Sequence, residues 1–142
     1  MSTAADKRMR VSWSFPAEVE LWVLGRMGVS AIAAQLDFGI DEVEDLRLAV
    51  NELCSTCAEG ATAESRVELE CMWDATSVEV TCAVDAIDGD RGAEVGTLAG
   101  DITETELSLR ILAALVDEQR IDPSKDNVRR GWFLKEREPA NH

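Results

Sequence analysis

Three shortages in the sequence limit what the protein can do. Only 14 Lys and Arg residues accompany 28 Asp and Glu residues, so the formal net charge is −14 over 142 residues. That field repels nucleic-acid phosphates, which argues against DNA or RNA binding and favours a protein or small-molecule partner. No apolar stretch follows the basic residues near the N-terminus, and the longest apolar run, residues 111–116, is too short to span a membrane. We therefore expect a cytoplasmic protein.

Histidine is nearly absent, and this shortage bears on the four cysteines. Cys54 and Cys57 stand three residues apart, but a zinc site would need two more thiolates or imidazoles. The single histidine is His142, the last residue, and Cys71 and Cys82 fall within strand-like runs. We therefore interpret the cysteines as buried or half-buried thiols in a reducing cytosol. A redox or metal module through Cys54 and Cys57 is the alternative, and we expect no metal.

The first third of the chain predicts one strand and two helices. Residues 10–15 alternate as a strand does, and residues 17–36 follow a helical pattern. Small residues along that helix would allow close packing against a sheet or a second subunit. Asp41, with Glu44 three residues on, has the spacing of a capping box for the second helix, which Gly60 ends. The predicted stripes are Leu21, Leu24, Gly28 and Ile32 on the first helix, and Leu46, Ala49, Val50, Leu53, Cys54 and Cys57 on the second.

The rest of the chain predicts a hairpin, a loop, a helix and a final strand. Residues 66–73 and 77–84 alternate and are joined by a short turn, so they should pair antiparallel. Residues 85–101 hold four glycines without periodicity and predict a loop. Residues 128–135 predict the last strand. The helix before it should open with the capping-box pair Thr103 and Glu106 and carry the stripe Leu107, Ile111, Ala114 and Leu115.

This order of elements predicts an α+β fold. Hydrophobic residues make up 46 % and charged residues 30 % of the chain, the balance of an ordinary globular protein. The length suits one domain, residues 1–142, with its core at about 10–136, a short flexible N-terminus and a charged C-terminal tail. Hairpin strands mixed with helices indicate a two-layer sandwich, in which helices cover one face of a mostly antiparallel sheet.

Residues 45–61, DLRLAVNELCSTCAEGA, resemble the N-box helix of the anti-sigma-factor serine kinases of the RsbW and SpoIIAB type. These kinases belong to the GHKL, or Bergerat-fold, ATPases. Residues 15–36 are similar to that family's opening strand and first helix, and residues 109–122 to its last helix and the strand entry after it. The resemblance covers about residues 11–135 and implies a GHKL sandwich.

The resemblance also implies an altered catalytic site. Glu52 stands at the position of the family's general base, whereas Thr56 replaces the asparagine that holds Mg²⁺ one turn later. A threonine hydroxyl is a poorer ligand for Mg²⁺, which demands tight octahedral geometry. If the protein is active, Glu52 is its catalytic residue.

The nucleotide-binding positions implied by the resemblance are changed as well. Asp85 and Gly89 match the family's Asp-x-Gly-x-Gly box, but Ile87 replaces the first glycine. At residues 105–109 both glycines of the phosphate clamp are gone, and Glu106 places a carboxylate there. Lost backbone donors and an added carboxylate would each weaken nucleotide binding by about 1–3 kcal/mol. Thr56, Asp85 and Gly89 are thus the residues of a degenerate ATP site, and we expect no cofactor or weakly bound ATP and Mg²⁺.

The resemblance implies an anti-sigma factor that sequesters an alternative, stress- or sporulation-type sigma factor. A STAS-domain anti-anti-sigma protein would counter it, and the kinase activity would be weak or lost. The alternative is an active ATP-dependent serine kinase of the RsbW type that phosphorylates its antagonist, using Glu52 as base. Relatives imply a homodimer. Trp13 and Trp22 lie in the region the family uses for self-association and are candidates for that interface.

Overall fold

The structure is a computed structural model and describes residues 8–88 and 104–139. The described residues form three helices and five strands, with a 3₁₀ turn at Val19–Leu21. The helices are α1 (Trp22–Gln35), α2 (Ile40–Cys57) and α3 (Glu104–Leu115). The strands are β1 (Met9–Pro16), β2 (Arg66–Trp73), β3 (Ser77–Val84), β4 (Glu118–Ile121) and β5 (Arg129–Glu136).

The strands form one sheet in the order β1-β2-β3-β5-β4, and every neighbouring pair is antiparallel. Helices α1 and α2 pack on one face of this sheet, and α3 packs beside α2 and β4. The predicted α+β sandwich is therefore confirmed. Among the described residues, no helix is long and apolar enough to cross a membrane.

The sequence prediction missed β4 as a strand of its own. This strand has only four residues, none of them buried, and it pairs with β5 at the edge of the sheet. A segment this short shows no clear alternation, and its strand character comes from the pairing with β5.

Helix α1 packs closely on the sheet, and its most buried residues lie beside the predicted stripe. Its buried residues are Trp22, Gly25, Val29 and Ala33, whereas Leu24 is about half exposed. A Cβ added to Gly28 would lie 2.2 Å from Trp13 Cζ2, and one added to Gly25 would lie 2.3 Å from Leu69 Cδ2. The expected close approach to a sheet is confirmed. Three members of the predicted stripe do face inward, since Leu21 and Ile32 pack against the core and Gly28 contacts Trp13, and only Leu24 was placed wrongly.

Helix α2 buries the predicted stripe but begins earlier than predicted. Leu46, Ala49, Val50, Leu53, Cys54 and Cys57 are all fully buried. The helix starts at Ile40, and the Gly39 backbone N–H donates to Glu42 Oε1 at 2.8 Å. Asp41 is therefore not the N-cap. It lies with Glu42 in the first turn, where carboxylates interact favourably with the positive end of the helix dipole.

The β2–β3 hairpin is confirmed with alternating faces. Val67 pairs with Val84 and Trp73 with Val78, which places the alternate residues of both strands against the helices. The core residues contributed by the hairpin are Val67, Leu69, Cys71, Val78, Val80, Cys82 and Val84.

Helix α3 buries a different side from the predicted stripe. Leu112 is 1 % exposed, while Leu107 and Ile111 are about 40 % exposed. The helix carries apolar residues on two sides, and its packing against α2 and β4 selects the side of Leu112. The predicted cap residue Thr103 lies outside the described residues.

Both candidate interface tryptophans are used within the chain. Trp22 is 7 % exposed and belongs to the core, and the half-buried Trp13 ring contacts Gly28 of α1. The interface role considered for Trp22 is therefore wrong, because its ring is already enclosed by this chain.

Candidate functional site

Glu52 and Thr56 lie four residues apart on α2, so their side chains occupy one row along the helix. Glu52 is half-buried, whereas Thr56 is 5 % exposed. The helix carrying them is held rigidly, because six apolar residues of its inner face are fully buried. The structure thus keeps Glu52 accessible and encloses Thr56.

The end of β3 turns Asp85 away from the helices. Val84, the last residue of the strand, is fully buried on the side that α2 covers. Asp85 is exposed, and its Oδ1 accepts a hydrogen bond of 2.7 Å from the backbone N–H of Arg66. Its carboxylate therefore stabilises the strand end at β2, and the alternation of β3 leaves Val84, not Asp85, facing the helix layer.

The residues after Asp85 close the gap between the sheet and the end of α2. Ile87 is 2 % exposed, and its N–H donates to the Asn127 carbonyl at 2.9 Å. The Asp88 N–H donates to the Gly60 carbonyl, also at 2.9 Å. Ile87 is thus a core residue, and its backbone joins the end of β3 to the turn before β5.

Arg129 is the residue of this region that sequence reasoning missed. It lies at the start of β5, opposite Val84, and is only 3 % exposed. Its Nη1 lies 3.5 Å from the carbonyl oxygens of both Thr56 and Cys57 and also donates to the Glu59 carbonyl. These carbonyls belong to the last turn of α2 and the residues after it. The guanidinium therefore caps the negative end of the α2 dipole.

Lys135, a second cation on β5, caps the C-terminal end of α3. Lys135 Nζ donates to the carbonyl of Leu115, the last residue of α3, at 2.9 Å. It also lies 3.7 Å from Asp45 Oδ2 of α2. The only sequence signal for either role is that Arg129 and Lys135 share one face of the strand with Gly131 and Phe133, which are buried toward the helices.

Three of the four buried thiols gather between α2 and the sheet. Cys57 Sγ lies 4.0 Å from the Cys82 carbonyl, and hydrogen bonding to Cys54 and Cys57, with burial, raises the pKa of the Cys82 thiol. Burial raises the pKa of Cys71 to about 12. All four cysteines are free and buried, as expected for Cys54 and Cys57 on the core stripe. In the part of the chain that the structure describes, no three His, Cys, Asp or Glu side chains form a group that could hold a metal ion.

The structure describes only some of the remaining predicted site residues. Gly89 lies outside the described residues. Glu106 is exposed near the start of α3, and Ser108 and Leu109 are half-buried. The structure therefore brings the last turn of α2, Ile87 and Arg129 together, and places Asp85 on the outside.

The sequence and the fold match a known class of protein. A family profile described as "Histidine kinase-like ATPase domain" matches residues 15–132. The chain belongs to this family, whose members bind ATP. Within it the chain is RsbW-like.

The similar proteins are bacterial serine-protein kinases. RsbW of Bacillus licheniformis is 28 % identical over 133 residues, covering 85 % of this chain and 81 % of the relative. RsbW of Bacillus velezensis is 27 % identical with the same coverage, and RsbW of Bacillus subtilis is 26 % identical, covering 78 % of this chain and 76 % of the relative.

A solved structure agrees on the fold. The crystal structure of the RsbU and RsbW domains of a Mycobacterium tuberculosis protein superposes with a TM-score of 0.62 at 17 % identity. The match covers 93 % of this chain and 34 % of that longer chain.

Proposed function

We propose that the protein is an anti-sigma factor that sequesters an alternative sigma factor in the cytoplasm. The similarity to RsbW over 85 % of the chain carries this proposal. A STAS-domain anti-anti-sigma protein would compete for the same chain and release the sigma factor. The net charge of −14 favours encounter with a partner that presents a basic surface. The family resemblance further implies that the chain acts as a homodimer.

We also propose that the kinase activity is weak or lost, because the residues present do not fit Mg-ATP. Thr56 is buried and offers a hydroxyl in place of an amide carbonyl. The Asp85 carboxylate accepts a hydrogen bond from the Arg66 N–H, and the buried Val84 occupies the helix-facing position beside it. Ile87 fills core space in which a glycine would leave room. Release of the sigma factor would then be controlled by competition between its binding partners.

Two measurements test these proposals separately. Expression of a tagged chain in its native host, followed by purification, should recover a sigma subunit or a STAS-domain protein. Calorimetry with Mg-ATP, with Bacillus subtilis RsbW as the positive control, should give a dissociation constant near millimolar. Binding at tens of micromolar or tighter would refute the loss of nucleotide binding without affecting the anti-sigma role.

An active serine kinase is the second candidate, and the accessible position of Glu52 on α2 favours it. In that case the purified chain would transfer the γ-phosphoryl group of ATP to a serine of its STAS-domain antagonist. The variant Glu52→Gln should then abolish transfer, while the solvent-facing control Glu44→Gln should leave it unchanged. No transfer by the wild-type chain would exclude this candidate.

A further inference from the structure

A groove crosses the face of the sheet that lies opposite the described helices. Glu68 on β2 is paired with Ala83 on β3, and Ala83 is paired with Arg130 on β5. Their neighbours along the chain are buried toward the helices, so these three side chains stand on the other face. The groove has a volume of about 600 Å³, which is the size of a small-molecule site. It is separated by the sheet from Glu52 on α2.

A chain of contacts holds one wall of this groove in place. Arg8 Nη1 donates to Glu79 Oε1 at 2.7 Å, and Trp132 Nε1 donates to the other oxygen of the same carboxylate. The Arg120 guanidinium lies 5.9 Å from the centre of the Trp132 ring, within the range of a cation–π contact. Arg120 Nε also lies 3.2 Å from Asp122 Oδ1. The Trp132 ring is therefore held from two sides, and the wall is ready for a ligand without rearrangement.

The charges on either side of the groove floor are not paired with each other. Thr81 and Ala83 form the floor, with Glu68 on the β2 side and Arg130 on the β5 side. Two strand spacings separate the Cα atoms of Glu68 and Arg130 by about 10 Å, and among the described residues no ion pair joins them. Opposite charges that only stabilised the sheet would lie directly across from each other on adjacent strands. The groove thus offers a carboxylate, a hydroxyl and a guanidinium in one row.

We propose that this groove binds a small linear zwitterion, of the class of dipeptides and γ-amino acids. The Glu68 carboxylate would accept hydrogen bonds from the ammonium group of the ligand, and the Arg130 guanidinium would donate to its carboxylate. Because each end forms one hydrogen bond of about 2.8 Å, the two charges of the ligand should lie about 5 Å apart. The Thr81 hydroxyl would bond to a polar group between them, and the Trp132 ring would contact the apolar part.

NMR titration tests the groove directly. The chain is labelled with ¹⁵N at tryptophan, and the indole N–H signal of Trp132, assigned with the variant Trp132→Phe, reports binding at the wall. We expect glycylglycine and 4-aminobutyrate to shift this signal saturably. Butylamine and butyrate each carry only one of the two charges, and the charges of glycine are too close together, so these three should bind at least about tenfold more weakly. Tighter binding of glycylglycine would identify a peptide ligand, and tighter binding of 4-aminobutyrate an amino acid.

Substitutions at the two ends separate this site from general charge effects. Glu68→Gln and Arg130→Met should each weaken binding of 4-aminobutyrate by at least about tenfold. The matched controls Glu44→Gln and Arg47→Met remove the same charges from an exposed ion pair on α2, and they should bind within about twofold of the wild type. The double variant Glu68→Arg with Arg130→Glu should restore binding, because a zwitterion fits the exchanged charges in the reverse direction.

Several results would overturn the proposal. They include no saturable shift with either zwitterion, equal binding of butylamine or butyrate, and equal weakening in the α2 controls. A second copy of the chain is the competing occupant, and sedimentation velocity decides it. A wild-type dimer that Arg130→Met converts to monomer would assign the groove to self-association instead of a ligand. Circular dichroism confirms that each variant is folded.

Discussion

The guanidinium of Arg129 on β5 lies 3.5 Å from the backbone carbonyl oxygen of Thr56 on α2. A strand residue thus caps a helix more than seventy positions away in the chain. Arg129 also donates to the carbonyls of Cys57 and Glu59, so one buried cation satisfies the end of the helix that carries Glu52. Since Lys135 caps α3 from the same strand, β5 fixes both helices relative to the sheet.

Replacing Arg129 with Met should destabilise the protein by about 2–3 kcal/mol, because the substitution leaves the buried α2 carbonyls without their donor. The measurement is urea unfolding followed by tryptophan fluorescence. Arg130→Met is the matched control, since Arg130 is exposed on the opposite face of the sheet, and it should change stability by less than about 0.5 kcal/mol. Equal effects of the two substitutions would contradict the capping role.

Replacing Gly28 with Ala should destabilise the protein, although alanine is the better helix former. The new Cβ would meet Trp13 Cζ2 at 2.2 Å, and overpacking of this kind outweighs the propensity gain by about 1–2 kcal/mol. Thermal unfolding measures the difference. In a Trp13→Phe background the ring is smaller, so the same substitution should cost much less. Additive effects of the two changes would show that the contact is unimportant.

The Asp74 turn should make stability depend on acid pH. Hydrogen bonds from the backbone N–H groups of Thr76 at 2.9 Å and Ser77 at 3.0 Å lower the pKa of the Asp74 carboxyl. Because the folded pKa lies below the unfolded one, this stabilisation is complete above the unfolded pKa and is lost as the pH falls through the folded pKa. Asp74→Ala should lower stability at pH 7 by about 1 kcal/mol. The difference from wild type should shrink in urea titrations toward pH 2.

The buried thiols should resist alkylation in the folded protein. Burial raises the pKa of Cys71 to about 12, and hydrogen bonding to Cys54 and Cys57 raises that of Cys82, so little thiolate forms at pH 9. Iodoacetamide at pH 9 should modify these residues far more slowly in the native chain than in 6 M guanidinium, as peptide mass spectrometry will measure. Rapid modification of native Cys71 would mean that this part of the sheet opens readily.

Some site residues could be located from the sequence, and others could not. The alternating run that ends at Val84 and the stripe around Glu52 and Thr56 correctly gave the strand end and the helix that form the region. The direction of the Asp85 side chain could not be predicted from the sequence, because it depends on which face of β3 the helices cover. In the sequence, Arg129 resembles an ordinary surface arginine. Only the pairing of β5 with β3 shows that it lies opposite Val84.

By itself the sequence determined the elements whose apolar period is unambiguous, namely α2 with its buried stripe and the β2–β3 hairpin. Tertiary packing decided which side of α1 and α3 is buried, because both helices carry apolar residues on more than one side. It also turned β4 into a strand, through the pairing with β5. The physical reason is the same in each case: a local pattern fixes which conformation is favourable, but only the neighbouring surface fixes which groups leave water.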